Sequence, residues 1–472
     1  MNPARLVVPV IRWDQQRGFA ASEREVARTL AAGVGGYIIF GGPSEEVAGL
    51  TKRLQAAATQ PLLIGADLER GAGQQFAGLR ELPPPQALAS LGDLGVIRDA
   101  GTITGLDARE VGVNWVFAPV ADLDLEPSNP IVQTRSFGAD PQRVSEAVAA
   151  WIEGANAAGV LSCAKHFPGH GRTTRDSHDH LPIVTAPLAE LMATDLLPFE
   201  AAVRAGVDSV MTSHVAFPAL DPTGLPATRS SAILQRLRGE GRFAGLIVSD
   251  ALIMAGVRGG DSVATACVSA VAAGVDVLLY PPDPIAIIEA IAARVKSDRG
   301  FGGVVAAAIE RCDRAAATAA ARLSRSPPVA NPTDVADRIV AQLETSVALR
   351  APVELVVVDD DLDGAYPASS SDFVRLALAA RGVPLGSGGS RVALVFAEPR
   401  ASKGRANLGL RSLQLLAETQ ADLVVLFAHP RLRAQLTPGT PVIEAWHRQR
   451  LMQESVARWI GGRVGAPGER NN

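Results

Sequence analysis

A chain of 472 residues is too long for one hydrophobic core and predicts two or three domains. Its 47% apolar and 20% charged residues are the proportions of an ordinary soluble globular protein. With a net charge of −4 and no dense run of Lys or Arg, neither a nucleic-acid backbone nor an anionic membrane surface is a favoured partner; a small molecule is expected instead.

The first apolar run, LVVPVI from Leu6 to Ile11, is too short for a signal-peptide core and far short of the ~20 residues of a membrane span. A cytoplasmic protein is the expectation. Seven further runs follow: YIIF (Tyr37 to Phe40), LLIGAD (Leu62 to Asp67), WVFAPV (Trp115 to Val120), SCAKHF (Ser162 to Phe167), SVMTSH (Ser209 to His214), GLIVSD (Gly245 to Asp250) and VDVLLY (Val275 to Tyr280). Between them lie helical patterns such as SEREVARTLAAG and PQRVSEAVAAWIEGANAAG, closed by a glycine suited to a left-handed C-cap. Strands apolar throughout and alternating with helices imply a parallel sheet covered on both sides, and eight such units predict a (β/α)8 TIM-type barrel over 1–325. A doubly wound open sheet is the alternative.

In a barrel, active sites form at the C-terminal ends of the strands. Asp67 ends the third run, Asp122 lies just past the fourth, Lys165 and His166 end the fifth, Ser213 and His214 the sixth, and Asp250 the seventh. Long loops follow the third, fourth and fifth runs, and loops of that length are more often functional than filler. Trp115 and Phe117 read as barrel core. Past Leu323, SRSPPVANPTD reads as a proline-rich linker, placed at 326–333. From 334 to 472, the runs ELVVVD, RVALVFAE and DLVVLF alternate with helical segments and predict a smaller three-layer α/β sandwich domain. GSGG at Gly386 to Gly389 precedes a strand and reads as a turn. DDDLDG at Asp359 to Gly364 lacks calcium-loop spacing and reads as a strand end. Three widely spaced cysteines, Cys163, Cys267 and Cys312, suit neither a disulfide framework nor a structural zinc site.

The stretch KHFPGHGRTTRDSHDH, Lys165 to His180, concentrates four of the seven histidines. A metal site, a proton-transferring loop and a solvated loop compete as explanations. His166 and His170 are separated by FPG, so they do not share a helical face as metalloprotease histidines do. In an extended segment Asp176 and His178 project the same way, so the carboxylate can fix the imidazole's tautomer and leave its other nitrogen to exchange a proton. The alternative is that Asp176 caps a turn and His178 is exposed.

The text KHFPGHG followed by DSH resembles the signature of glycoside hydrolase family 3, in its β-N-acetylglucosaminidase branch, as a two-domain member. IGADLERG, NWVFAPVADLD, NPIVQTRSFGADP, VMTSHVAFPALDP with PAT, IVSDALIMAG and AGVDVLLYP follow in the family's order. The resemblance implies that Asp250 is the nucleophile and that His178, paired with Asp176, is the general acid/base. It implies that Asp67, Arg135, Lys165, His166 and, more weakly, His214 hold the sugar in the cleavage subsite. Lys165 and His166 pairing with carboxylates for stability alone is the competing reading, while His170 is expected to order the loop and His180 to face solvent. Two departures bear on substrate preference: Ala251 stands where the branch commonly has a second aspartate, and Arg70 occupies a glycine-like position.

The activity implied is retaining hydrolysis of terminal β-linked N-acetylglucosamine, with peptidoglycan-derived fragments or chito-oligosaccharides as the substrate. No metal or other cofactor, no nucleic acid and no membrane is expected, and the chain is expected to be a monomer or homodimer. A β-N-acetylglucosaminide or β-glucoside phosphorylase is the catalytic alternative, and a non-catalytic sugar-binding sensor the alternative of another class.

Overall fold

The computed structural model describes residues 1–174, 180–240, 242–257, 261–323, 335–342, 347–361, 369–398 and 405–465. All eight apolar runs of the first part form parallel strands: β1 (Val7–Val8 and Val10–Arg12), β2 (Gly36–Phe40), β3 (Leu63–Ala66), β4 (Trp115–Val116), β5 (Leu161–Phe167), β6 (Ser209–Thr212), β7 (Leu246–Ser249) and β8 (Leu278–Leu279). Pro9 divides β1. Its first half pairs with β8, Val7 opposite Leu278, and its second half with β2, Val10 opposite Ile38. Each remaining strand pairs with the next, and a bridge from Val248 to Val277 joins β7 to the run containing β8. The ring is therefore closed, a (β/α)8 barrel, and the open-sheet alternative falls.

The strands read as unbroken apolar runs because one face packs inward and the other against helices. Val8, Ile38, Leu63, Trp115, Phe117, Leu161, Cys163, Met211, Val248 and Leu279 share one buried cluster. Trp115 and Phe117 are fully buried in it, as core, with ring centroids 4.7 Å apart. Gly65 makes room for Phe117: a Cβ there would sit 2.6 Å from the ring. Helix Pro141–Ala158 shows the expected punctuation. Asp140 caps its start by accepting from Arg143 N, and Gly159 ends it at φ 89°.

The later part of the chain forms a four-stranded parallel sheet in sequential order, β9 (Glu354–Asp359), β10 (Arg391–Ala397), β11 (Leu423–Ala428) and β12 (Val442–Glu444). The first three coincide with the runs read from the sequence; β12 does not, because three residues are too few to show a pattern. Helix Leu410–Thr419 packs on β9 and β10, and helices Phe373–Ala380 and Arg450–Gly461 pack on each other. Phe396 and Phe427 stack at 4.6 Å in this smaller α/β layer structure.

The first compact unit comprises Met1–Arg80, Leu94–Leu125 and Ser136–Asn331, and the second Glu81–Asp93, Glu126–Arg135 and Pro332–Asn472. Two early segments thus group with the second unit, and its contacts explain this. Gln449 Nε2 donates to Leu82 O at 2.7 Å, Leu451 N to Glu81 at 2.9 Å, and Arg431 Nη1 to Pro127 O at 2.8 Å. The linker expected at 326–333 lies outside the described residues. Among the described residues, no helix is long and apolar enough to cross a membrane.

Candidate active site

The fifth strand supplies the centre of the site. Strict alternation along a strand would send Lys165 and His166 to opposite faces, but the pairing of β5 with β6 shifts register between Lys165 and Phe167. The break in register falls at these two residues, so the simple alternation does not continue through them. Lys165 is 2% exposed, and an ammonium that deep needs compensating charge. It has two carboxylates: Asp67 Oδ1 at 2.6 Å and Glu69 Oε1 at 2.7 Å.

His166 is held by Asp122, just past β4. The ring Nδ1 lies 2.7 Å from Asp122 Oδ2, while Asp122 Oδ1 accepts the backbone N–H of His166 at 3.2 Å and of His170 at 2.6 Å. Burial pushes the Asp122 carboxyl upward, but the charge and hydrogen bond of His166 together with His170 outweigh it, so the group lies below the ordinary carboxylate range. Burial pushes the His170 imidazole down to about 4, with the neighbouring His166 adding to the depression and Asp122 opposing it. That ring is neutral at pH 7 and bonds Thr173 Oγ1 at 2.8 Å.

The loop after β5 is pinned at its start. Gly171 lies against Leu123, where a Cβ would sit 1.7 Å from the carbonyl oxygen, so only glycine fits. Arg172 reaches Asp195 at 2.8 Å, Glu190 at 2.6 Å and Thr194 at 3.1 Å. Residues 175–179, with the expected pair Asp176 and His178, lie outside the described residues. His180 is exposed, as expected.

Asp250 follows β7 and is partly exposed. Its Oδ1 accepts from Ala251 N at 2.7 Å. Burial raises its pKa, but the charges of His166 and His214, the Ala251 N–H and the charge of Lys165 prevail and hold it below the ordinary range. His214 is fully buried, with Nδ1 2.8 Å from Thr228 Oγ1 and Nε2 3.3 Å from Ala251 O. The backbone of the residue that replaces a second aspartate is therefore part of this setting.

The strand ends of the first unit thus bring together Asp67, Lys165, His166, His214 and Asp250. Arg135 ends a 3-10 turn, Gln133–Arg135, that groups with the second unit, and its Nη1 donates to Ile131 O at 3.3 Å. The sequence reading missed Glu69 and the role of Asp122 as a partner. Asp122 carried a signal, being polar at a strand end; Glu69 carried none beyond its nearness to Asp67. Lys165 and His166 do pair with carboxylates, as the stability reading required, but those carboxylates line the same strand ends as Asp250. Among the described residues, no three His, Cys, Asp or Glu side chains are grouped as a metal-ligand set.

An ionised carboxylate set among an ammonium and two imidazoles is suited to nucleophilic attack on a centre that gains positive charge. Known proteins bear on this geometry. The family described as glycosyl hydrolase family 3 N terminal domain matches residues 7–314. A beta-hexosaminidase of Chromobacterium violaceum is 36% identical over 290 residues, 58% of this chain and 80% of that protein. A beta-N-acetylglucosaminidase/beta-glucosidase of Cellulomonas fimi is 36% identical over 257 residues, 52% of this chain but only 46% of that protein's length. The structure of a glycoside hydrolase family 3 beta-N-acetylglucosaminidase from Paenibacillus sp. superposes with a TM-score of 0.81 at 25% identity, covering 99% of this chain and 97% of the other.

Proposed function

The chain belongs to glycosyl hydrolase family 3 and is a glycoside hydrolase, and on that premise we propose that it is a retaining, exo-acting β-N-acetylglucosaminidase. The observation that carries the reading is Asp250, a carboxylate at a barrel strand end kept ionised by His166, His214 and Lys165 despite its burial cost. In the proposed reaction, Asp250 attacks the anomeric carbon as His178, oriented by Asp176, protonates the leaving oxygen. His178 then takes a proton from water, which releases the sugar from its ester with Asp250 and restores the β configuration. Asp67, Lys165, His166 and Arg135 hold sugar hydroxyls, with His214 a weaker addition. Asp67 and Lys165 are already joined, so substrate would exchange with an existing ion pair rather than meet bare charges.

The names of the relatives, a beta-hexosaminidase and two beta-N-acetylglucosaminidases, support the sugar. Terminal N-acetylglucosamine of peptidoglycan fragments or chito-oligosaccharides, cleaved in the cytoplasm, is the substrate and setting proposed. The test follows the anomer first released from aryl N-acetyl-β-glucosaminide and aryl β-glucoside by NMR, with phosphate varied. Expected is β-N-acetylglucosamine, formed at a rate independent of phosphate. A first-formed α-anomer would refute retention, a sugar phosphate would establish phosphorolysis, and no turnover of either glycoside would favour a sensor.

A further inference from the structure

Asp122 grips the site from behind, and the division of labour between its two oxygens is informative. Among the described residues Oδ1 accepts the backbone N–H groups of His166 and His170, while Oδ2 faces the His166 ring at 2.7 Å. The residue is 1% exposed, and Ser136 Oγ donates to its main-chain carbonyl at 2.6 Å, so the backbone that presents the carboxylate is itself tied down. An ionised carboxylate can only accept hydrogen bonds. The proton on the short contact therefore belongs to the imidazole, on Nδ1.

We propose that Asp122 is a positioning residue that fixes the tautomer of His166, locking the proton on Nδ1 so that Nε2 is the ring nitrogen offered to substrate. The inference rests on the reading of His166 as a sugar ligand. In the neutral ring this makes Nε2 an acceptor for a sugar hydroxyl; the opposite tautomer would present an N–H there and reverse the polarity of the contact. Carboxylate-oriented histidines elsewhere obey the same logic, in which the group behind one ring nitrogen decides what the other can do. Asp122 touches neither substrate nor Asp250 in this scheme. It acts through His166.

The arrangement makes Asp122→Asn a selective probe. Its Oδ1 can still accept both backbone N–H groups, so the turn from His166 to His170 keeps its anchor, while an NH2 replaces the oxygen facing the ring. That NH2 can only donate, which forces Nδ1 to accept and moves the proton to Nε2. Losing one hydrogen bond to a charged group is worth about 10- to 100-fold, so kcat/KM on aryl N-acetyl-β-glucosaminide is expected to fall by that factor.

The experiment combines histidine-15N NMR on the full chain, with His166 assigned through His166→Gln, and a kinetic cycle of Asp122→Asn, His166→Gln and the double variant. Expected are an Nδ1-bound proton on His166 in the native protein, an Nε2-bound proton in Asp122→Asn, and a double variant no slower than His166→Gln alone. A native ring with bare Nδ1 would overturn the proposal even if the Asn variant failed to fold. Additive losses in the double variant would overturn it as well, showing that Asp122 acts other than through His166. If His166→Gln alone kept full kcat/KM, the sugar-ligand reading itself would fall, whatever the tautomer.

Discussion

At the C-terminal edge of the second unit's sheet, Arg448 bonds Asp359 through both terminal nitrogens and Asp361 through Nη1, each at 3.0 Å, while both oxygens of Asp361 accept Glu398 N at 3.0 Å. At the corresponding edge of the barrel, the buried cation is Lys165 and the second basic group is an imidazole. Arginine's planar fork matches carboxylates two bonds at a time and, buried at 3% side-chain exposure, closes the cluster on itself. Lysine is a point charge on a flexible stem, and its partner Asp67 is partly exposed, as is Asp250. Buried charge alone does not mark a catalytic site. What distinguishes the barrel edge is that two of its carboxylates, Asp67 and Asp250, are partly exposed while the basic groups Lys165, His166 and His214 are buried.

Substitutions at the two edges should therefore fail in different ways. The largest effect is expected from Asp250→Ala, which should lower kcat/KM by on the order of 10⁴ or more, as for other lost nucleophiles, with little change in melting temperature. A melting shift accompanying a small kinetic loss would assign Asp250 to structure instead. Next, His178→Ala should cost about 10²- to 10⁴-fold on an unactivated disaccharide and much less on a nitrophenyl glycoside, whose leaving group needs little protonation. Equal losses on both substrates would remove His178 from the acid role.

At the closed edge, Arg448→Ala should leave the buried Asp361 and the partly buried Asp359 without that cation and destabilise the protein by about 3 to 5 kcal/mol in urea unfolding. Its kcat/KM, measured well below the transition, is expected to stay within about twofold of native, because the partners named for Arg448 all belong to the second unit. A large kinetic loss there would break the contrast between the edges.

A smaller effect concerns the His170 imidazole. The His170 pKa is about 4 when folded, against an ordinary 6.5, so between these values the unfolded chain binds more protons. Stability from keeping this ring neutral is complete above pH 6.5 and is lost as pH falls toward 4, a loss of roughly 3 kcal/mol at 1.36 kcal/mol per unit. The depressed Asp122 and Asp250 also lose stability at acid pH, as each is protonated on falling through its folded pKa. Urea unfolding of His170→Gln at pH 7 and pH 4.5 should show a shallower pH dependence than the native protein; an unchanged slope would contradict the assignment.

Much of this was legible in the sequence because the barrel repeats one simple pattern. Strands buried on both faces read as apolar runs, and the polar residue that ends each run marks the open mouth. The short β12 and the grouping of 81–93 and 126–135 with the second unit were not legible. The first lacks length, and the second depends on contacts from Arg431, Gln449 and Leu451, more than three hundred residues along the chain. The same holds within the site. Asp250, Lys165 and His166 could be picked out by position, but the choice of Asp122 as the partner of a histidine 44 residues later, and of Glu69 as a second anion on Lys165, is made by tertiary packing.

The proposed mechanism turns on a covalent bond to Asp250. Mass spectrometry of peptides after reaction with a fluorinated N-acetylglucosaminyl donor, whose glycosyl ester hydrolyses slowly, tests it directly. The expected result is one sugar adduct, on the peptide containing Asp250, and none in Asp250→Ala. Turnover of the donor with no adduct, or an adduct on any other residue, would contradict it.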